Sequence, residues 1–395
     1  MRFVIDENMP FARDVFSTIG DAVALPGRKI SNADLKTATA LLVRSITRVD
    51  ESLLKGTAVQ FVGTATIGED HIDKEYLRQA GIGFASAQGC NANSVSEWWT
   101  AAVLCAAEDI GFDISGLTVG IIGVGNVGHR VWSKARALGM RVLLNDPPRA
   151  DSEGRHSGDP LPGSETAEFV SLKTVLAESD IITVHVPLTE DGPYPTQRLL
   201  GASEFKAMKP SVIYINASRG DTHDEAALQA ALDSKLIRAA ILDVWENEPG
   251  ISNETVRRTL YGTPHIAGYS LDGKINGTAM VFDACMRHFG IKAAWDRSNV
   301  PPPPFPNIDV QCKTYDPLAV LRRVVLRLYP FREDVERFRG VLSQPDTSAA
   351  GKLFDHLRKT YPERREWHHT TLSLSGADKK LESIFRGLGF KIAGR

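Results

Sequence analysis

The sequence predicts an α/β protein made of two successive strand–helix series and a small α+β tail. Three observations carry this reading. Short β-branched or apolar runs alternate with helix-compatible stretches up to about residue 268, a glycine-rich loop directly follows one of those runs, and four consecutive prolines, Pro301 to Pro304, set the last part of the chain apart. The chain has 395 residues, which at about 150 residues per domain gives a prior of two to three domains.

In the first series, Phe3 to Ile5, Ala40 to Val43 and Val59 to Gly63 read as strands, with helix-compatible Asn32 to Thr39 and Asp70 to Gln79 between them. Ser94 or Ser96 is placed to cap a long helix that runs through Trp98, Val103 and Leu104 to Ile110, where Gly111 interrupts it. The second series has strands at Thr118 to Ile122, Arg141 to Leu144, Ile181 to His185, Val212 to Asn216 and Ala239 to Val244. Their near-continuous apolar character implies a buried parallel sheet. Pro147 to Glu165, rich in Pro, Gly, Asp and Ser, reads as an exposed loop. Leu271 to Phe289 is another helix, and the four prolines that follow cannot be helical. The tail reads as strand Ile308 to Cys312, helices Pro317 to Leu328 and Ala349 to Tyr361, strand Thr370 to Leu374 and a final helix.

Composition excludes several classes of function. Lys+Arg 46 against Asp+Glu 48 leaves a formal net charge of -2, so no global basic field draws the chain to nucleic acid. The most apolar stretch, Trp98 to Ala107, is flanked by Glu97 and Glu108 and is too short to span a bilayer. Asp6 stands where an export signal would be apolar, which sets the expectation of a cytoplasmic protein without a membrane partner. Cys90, Cys105, Cys285 and Cys312 are dispersed and form no C-x-x-C, so reduced structural thiols are expected and no metal site.

The chemistry-bearing motif is Gly123-Val124-Gly125-Asn126-Val127-Gly128, between an apolar strand and a helix-compatible segment. In that context the first glycine permits the turn, the second admits a pyrophosphate, the third lets helix and strand pack, and the helix amino end favours the anion. Asp146, about twenty residues on at the end of the next strand, is placed to accept hydrogen bonds from ribose hydroxyls and to repel a 2'-phosphate. The expected cofactor is therefore NAD rather than NADP, although Arg149 lies nearby. Arg219, just past a strand in Asn216-Ala217-Ser218-Arg219-Gly220, is suited to clamp a carboxylate with two parallel hydrogen bonds. Glu248 and His265 make a plausible pair, the carboxylate fixing the imidazole tautomer and leaving the other ring nitrogen to exchange a proton. His223 rivals His265 only if its loop folds inward. Together with a nicotinamide pocket these groups describe hydride transfer at a carbon that bears a hydroxyl and a neighbouring carboxylate.

These motifs resemble those of the D-isomer-specific 2-hydroxyacid dehydrogenases over nearly the whole chain. The likeness rests on Ile5-Asp6-Glu7-Asn8-Met9-Pro10, Val43-Arg44-Ser45, Gly63-Thr64-Ala65-Thr66-Ile67-Gly68, Gln88-Gly89-Cys90-Asn91-Ala92, the glycine loop, Asn145-Asp146-Pro147-Pro148-Arg149 and His265-Ile266-Ala267-Gly268-Tyr269, and the distal segment from Leu357-Arg358-Lys359 to Arg364-Arg365-Glu366-Trp367 resembles the carboxyl-terminal domain of one member of the family. The segment Gly220-Asp221-Thr222-His223-Asp224-Glu225 departs from the family's less polar pattern.

The resemblance implies two Rossmann-like doubly wound domains, a discontinuous substrate domain of residues 1–95 and 269–290 and an NAD-binding domain of residues 96–268, with residues 291–395 as a C-terminal α+β dimerisation domain of a homodimer. It implies Arg219, Glu248 and His265 as catalytic residues and Ser45, Thr66 and Tyr269 as substrate contacts. Asp146, Val186 through its backbone, Ala217, Ser218, Arg219, Asp243 and Gly268 would line the cofactor site with Gly123, Gly125, Asn126, Val127 and Gly128. The implied activity is oxidation by NAD of a phosphorylated four-carbon 2-hydroxy acid. A relative acting on 3-phosphoglycerate, hydroxypyruvate or glyoxylate, or a silent NAD-sensing binding protein, are the alternatives the residues leave open.

Overall fold

A computed structural model describes residues 1–152, 167–313 and 316–394. The chain divides into two compact units, one of Met1–Ala92 with Tyr269–Pro302, the other of Asn93–Gly268 with Pro303–Arg395.

The first unit is built on a five-stranded, all-parallel sheet. Its strands are β1 (Arg2–Asp6), β2 (Asp21–Leu25), β3 (Ala40–Val43), β4 (Phe61–Thr64) and β5 (Gly83–Ser86), in the order β2-β1-β3-β4-β5. The helix Leu271–His288 packs on β4 and β5. It carries Phe282 edge-on against Phe16, with ring centroids 5.2 Å apart, and burial of such side chains supplies most of the unit's stability. β2 and β5 escape sequence reading because they are short, lie at the two sheet edges and contain alanine, glycine or serine instead of β-branched runs. The expected helix at Asn32 to Thr39 is a single 3-10 turn, Asn32–Leu35, closed by a Ser31–Asp34 capping box.

The second unit carries a seven-stranded parallel sheet of β6 (Thr118–Ile122), β7 (Arg141–Asn145), β8 (Ala167–Phe169), β9 (Ile181–Val184), β10 (Val212–Asn216), β11 (Ile237–Leu242) and β12 (Tyr261–Gly262). The order is β12-β11-β10-β9-β6-β7-β8, so the direction of winding reverses at β6. The long helix begins earlier than expected, at Ala92. Ser94 and Ser96 lie inside it, donating to a Glu366 carboxylate oxygen at 2.6 Å and to the Asn93 carbonyl at 2.7 Å. Pro147–Ser152, expected as the start of a loop, is a short helix, because Asp146 can cap it and proline is tolerated in a first helical turn. The remainder of that expected loop, 153–165, lies outside the described residues.

Residues 303–395 form a parallel three-stranded sheet of β13 (Asn307–Gln311), β14 (Thr371–Ser375) and β15 (Lys391–Ile392). Helices Pro317–Leu328, Phe331–Arg339, Thr347–Lys359 and Lys379–Gly387 accompany it. Phe331–Arg339 escapes sequence reading because it is highly charged and follows the preceding helix after Pro330. This segment shares its apolar core with the seven-stranded sheet: Trp98 stands edge-on to Phe331, and Trp245 lies against Phe338 with ring centroids 5.1 Å apart. The four cysteines are buried and free, and among the described residues no helix is long and apolar enough to cross a membrane.

Candidate active site

Parallel strands bring their carboxyl ends to one side of the sheet, where open α/β sheets bind ligands at the switch in winding. Gly123 follows β6, Asp146 follows β7, Val186 comes two residues after β9, Ala217 follows β10, Asp243 follows β11, and His265 lies three residues beyond β12. The carboxyl-terminal side of the sheet thus carries the segments that hold Gly123, Asp146, Val186, Ala217, Asp243 and His265.

At the switch point Gly123 has φ +88°, and a Cβ there would lie 2.7 Å from the His185 carbonyl and 2.8 Å from Val186. Gly128, in the first turn of helix Asn126–Ala137, leaves no room for a Cβ against the Gly123 carbonyl oxygen. Gly125 is different, since a Cβ there would meet no protein atom within 4 Å. The fold does not require glycine at 125, and the space left open beside the amide groups of Asn126 and Val127 that open the helix is of the kind that admits an anion close to the backbone. Asp146 is half-buried and accepts from the Val124 N–H at 2.7 Å and the Arg149 N–H at 3.1 Å, while Arg149 donates from its guanidinium to the Val124 carbonyl at 2.8 Å. The donor and acceptor set fits NAD.

Arg219 sits, half-buried, in a turn that Asn216 organises. The Asn216 side-chain oxygen accepts from the Ser218 N–H at 3.0 Å and the Ser218 hydroxyl at 2.8 Å, and its amide donates to the Arg219 carbonyl at 3.0 Å. Gly220 packs so closely on the Trp245 carbonyl that no Cβ fits, which brings this turn against the one that carries Glu248. His223 is fully buried beneath the turn, its Nδ1 3.1 Å from the Asn216 amide and 3.3 Å from the Tyr214 hydroxyl. Burial pushes its pKa down to about 4, so it is a neutral, structural histidine.

His265 Nδ1 lies 2.7 Å from Glu248 Oε2, and Glu248 Oε1 accepts from the Trp245 N–H at 2.9 Å. Burial works to raise the Glu248 pKa, but the His265 charge and hydrogen bond, with Arg358 and the Trp245 N–H, outweigh it and hold the carboxyl below its ordinary value. An ionised carboxylate only accepts, so Nδ1 carries the proton and Nε2 is left as the basic nitrogen of the ring. His265 has φ +56° and Asn247 φ +59°, conformations that a non-glycine residue keeps only where its surroundings enforce them. Asp243 provides much of that enforcement. Its carboxylate accepts from the Thr263 hydroxyl at 2.6 Å, the Ile266 N–H at 2.8 Å and the Ala267 N–H at 2.9 Å, while its carbonyl accepts from the His265 N–H at 2.7 Å. Burial raises its pKa to about 6, against the pull of His265 and these donors.

In the first unit, Ser45 is exposed two residues past β3, and Thr66 lies two residues past the neighbouring β4 with its hydroxyl donating to the Gly68 carbonyl at 3.1 Å. Tyr269 opens the second stretch of that unit, with the Lys274 ammonium 4.8 Å from its ring centre, and Gly268 closes the stretch before it. Sequence reading gave no role to Asn216, although it opens the segment that holds Arg219. It also gave none to Arg358, whose distance along the chain from Glu248 leaves no local signal.

Residues 91–267 match the family described as D-isomer specific 2-hydroxyacid dehydrogenase, NAD binding domain, and residues 300–389 match a domain of unknown function. The chain belongs to the D-isomer-specific 2-hydroxyacid dehydrogenase family. It is 43% identical over 391 residues to the erythronate-4-phosphate dehydrogenase of Cronobacter sakazakii, covering 99% of this chain and 98% of that one. The enzyme of the same name from Klebsiella pneumoniae is 43% identical over 392 residues, with the same coverage. Among solved structures, D-lactate dehydrogenase from Aquifex aeolicus, complexed with NAD and lactic acid, aligns with a TM-score of 0.57 at 23% identity, covering 73% of this chain and 96% of that one, which shows the shared fold.

Gly125→Ala should leave the thermal midpoint unchanged but weaken NAD binding in a fluorescence titration, whereas Gly128→Ala should cost about 1–3 kcal/mol of stability. Equal effects of the two would contradict the ligand role of Gly125. A depressed carboxyl pKa adds stability above the ordinary range and loses it as pH falls through the depressed value. Wild type should therefore lose its stability advantage over Glu248→Gln as pH drops below about 4.5, read from thermal midpoints across an acid series.

Proposed function

We propose that this chain oxidises 4-phospho-D-erythronate to 2-oxo-3-hydroxy-4-phosphobutanoate with NAD, a step toward pyridoxal 5'-phosphate. The observation that carries the reading is the 43% identity to erythronate-4-phosphate dehydrogenases over 99% of the chain, in a molecule whose His265 and Glu248 are already paired at 2.7 Å. Gly123, Gly125, Asn126, Val127 and Gly128 would hold the pyrophosphate, Asp146 the ribose, and Val186, Ala217, Ser218, Asp243 and Gly268 the remainder of the cofactor.

When bound, NAD supplies the hydride acceptor. His265 takes the hydroxyl proton of the substrate on Nε2 and returns it in the reverse direction, while Glu248 holds Nδ1–H and balances the charge that the ring gains. Arg219 binds the substrate carboxylate and polarises the oxygen that becomes a carbonyl. Ser45, Thr66 and Tyr269 contact the rest of the substrate, with Arg44 beside Ser45 suited to its phosphate. The further proposals are that the protein works in the cytoplasm as a homodimer joined through residues 291–395.

NADH formation measured side by side with 4-phospho-D-erythronate and 3-phospho-D-glycerate tests this reading. Preference for the erythronate is expected; preference for the glycerate, or turnover of neither by NAD-bound protein, overturns it. His265→Ala should lower kcat by at least about a hundredfold while NAD affinity stays within about twofold. Arg219→Lys should lower kcat/KM by about a hundredfold, because the ammonium lacks the planar fork; wild-type kinetics would remove Arg219 from the reaction.

A further inference from the structure

We infer that Arg364, in the C-terminal segment matched to a domain of unknown function, is a positioning residue for His265. This rests on the role of His265 proposed above. Arg364 is buried, 5% exposed, and its guanidinium branches. Nη1 donates to Glu97 Oε2 at 2.8 Å, and Nη2 donates to the Ala267 carbonyl and the Ser94 carbonyl, both at 3.3 Å. The guanidinium also lies over the Tyr329 ring, 4.2 Å from its centre.

Ala267 is thus held on both sides of its α-carbon. Its N–H is fixed by Asp243 at the end of β11, and its carbonyl is fixed by Arg364 from a segment about a hundred residues downstream. Between Asp243 and this anchor stands His265 in its left-handed conformation, two residues from Ala267. A strained residue relaxes when one of its constraints is released, and the relaxation here would rotate the imidazole away from Glu248. A displacement of the order of 1 Å at a reacting group is enough to cost about a hundredfold in rate.

Arg364 can hold that carbonyl firmly because it is itself over-constrained. Glu97 is fully buried and also accepts from the Trp367 N–H at 2.8 Å and the Asn93 amide at 3.0 Å. Glu366 accepts from Ser94 at 2.6 Å and Asn93 at 2.8 Å, and Lys134, donating to the Leu388 carbonyl at 2.8 Å, adds the second positive charge of the cluster. A lysine at 364 would keep the charge beside Glu97 but could not reach both Glu97 and the carbonyls with a planar fork.

The test uses the full chain carrying Arg364→Gln, Arg364→Lys, and the double variant Glu97→Gln/Arg364→Gln, which removes both members of the buried Glu97–Arg364 pair together if the single glutamine variant fails to fold. NAD affinity, kcat, KM, the pH profile of kcat and the NMR titration of the His265 ring without substrate are measured. The expected result is NAD affinity and KM within about twofold of wild type, kcat lowered about tenfold or more, a displaced pH profile and a moved His265 titration, with partial recovery in the lysine variant. Folded variants with the wild-type kcat, pH profile and ring titration overturn the inference. So does an equal loss in the lysine and glutamine variants with the profile and ring unmoved, which marks a purely structural residue. Arg364→Lys keeps the ion pair and reads the clamp even where both glutamine variants fail to fold. Failure of wild type to oxidise 4-phospho-D-erythronate would fall on the proposed function instead, because the ring titration needs no substrate.

Discussion

Every strand of the seven-stranded sheet runs the same way, so each contributes its carboxyl end to a single edge, and the chemistry of the molecule depends on that constraint. Residues as far apart in sequence as Gly123 and His265 therefore follow strands that end on the same side of the sheet. What the strands cannot do is orient the turns that follow them. That task falls to buried polar groups at the end of a strand or one residue past it: Asn216, the last residue of β10, carries the Arg219 turn, and Asp243, just after β11, carries the His265 turn. Both are fully enclosed, where an unmade hydrogen bond is expensive, and this makes the turns they hold hard to deform.

The fold and the chemistry were legible in the sequence to different degrees. Apolar runs such as Val212 to Asn216 lie in the sheet interior and announce themselves by composition. Edge strands such as Gly83–Ser86 have no such requirement and carry no such signal. The glycine loop, Asp146, Arg219, Glu248 and His265 stand out as candidates in the sequence because each belongs to a short segment with a local chemical logic. Asn216, Arg358 and Arg364 do not, since their partners lie in other segments and only the tertiary fold brings them together. The strand expected at Ala239 to Val244 ends at Leu242; the Asp243 N–H still bonds the Asn216 carbonyl of the neighbouring strand, while the Asp243 carbonyl and carboxylate turn to the segment that holds His265.

The C-terminal segment is bound to the cofactor-binding sheet by both apolar and ionic contacts. Phe338 lies on Trp245, and Gly351 approaches the Pro249 carbonyl directly after Glu248, so the helices of this segment brace the turn that holds the Glu248 carboxylate. The cluster of Glu97, Glu366, Arg364 and Lys134 is completely desolvated at its centre. Such clusters add little net stability but strongly disfavour any arrangement that leaves one member unpaired, so this one specifies a single seating of the segment.

The hydrogen bonds of Asp146 give cofactor choice an unusual cost of change. On the proposed reading this carboxylate meets the ribose, yet it also anchors the Val124 N–H of the glycine loop and the Arg149 N–H that follows it. A drift toward a 2'-phosphate would have to remove the negative charge, and even the isosteric asparagine keeps a single acceptor oxygen for two N–H groups, so one of the loop's two hydrogen bonds is lost at the same step. Specificity and loop architecture are thereby coupled in one side chain, and an evolutionary path to the other cofactor gives up part of the loop's support together with the acid.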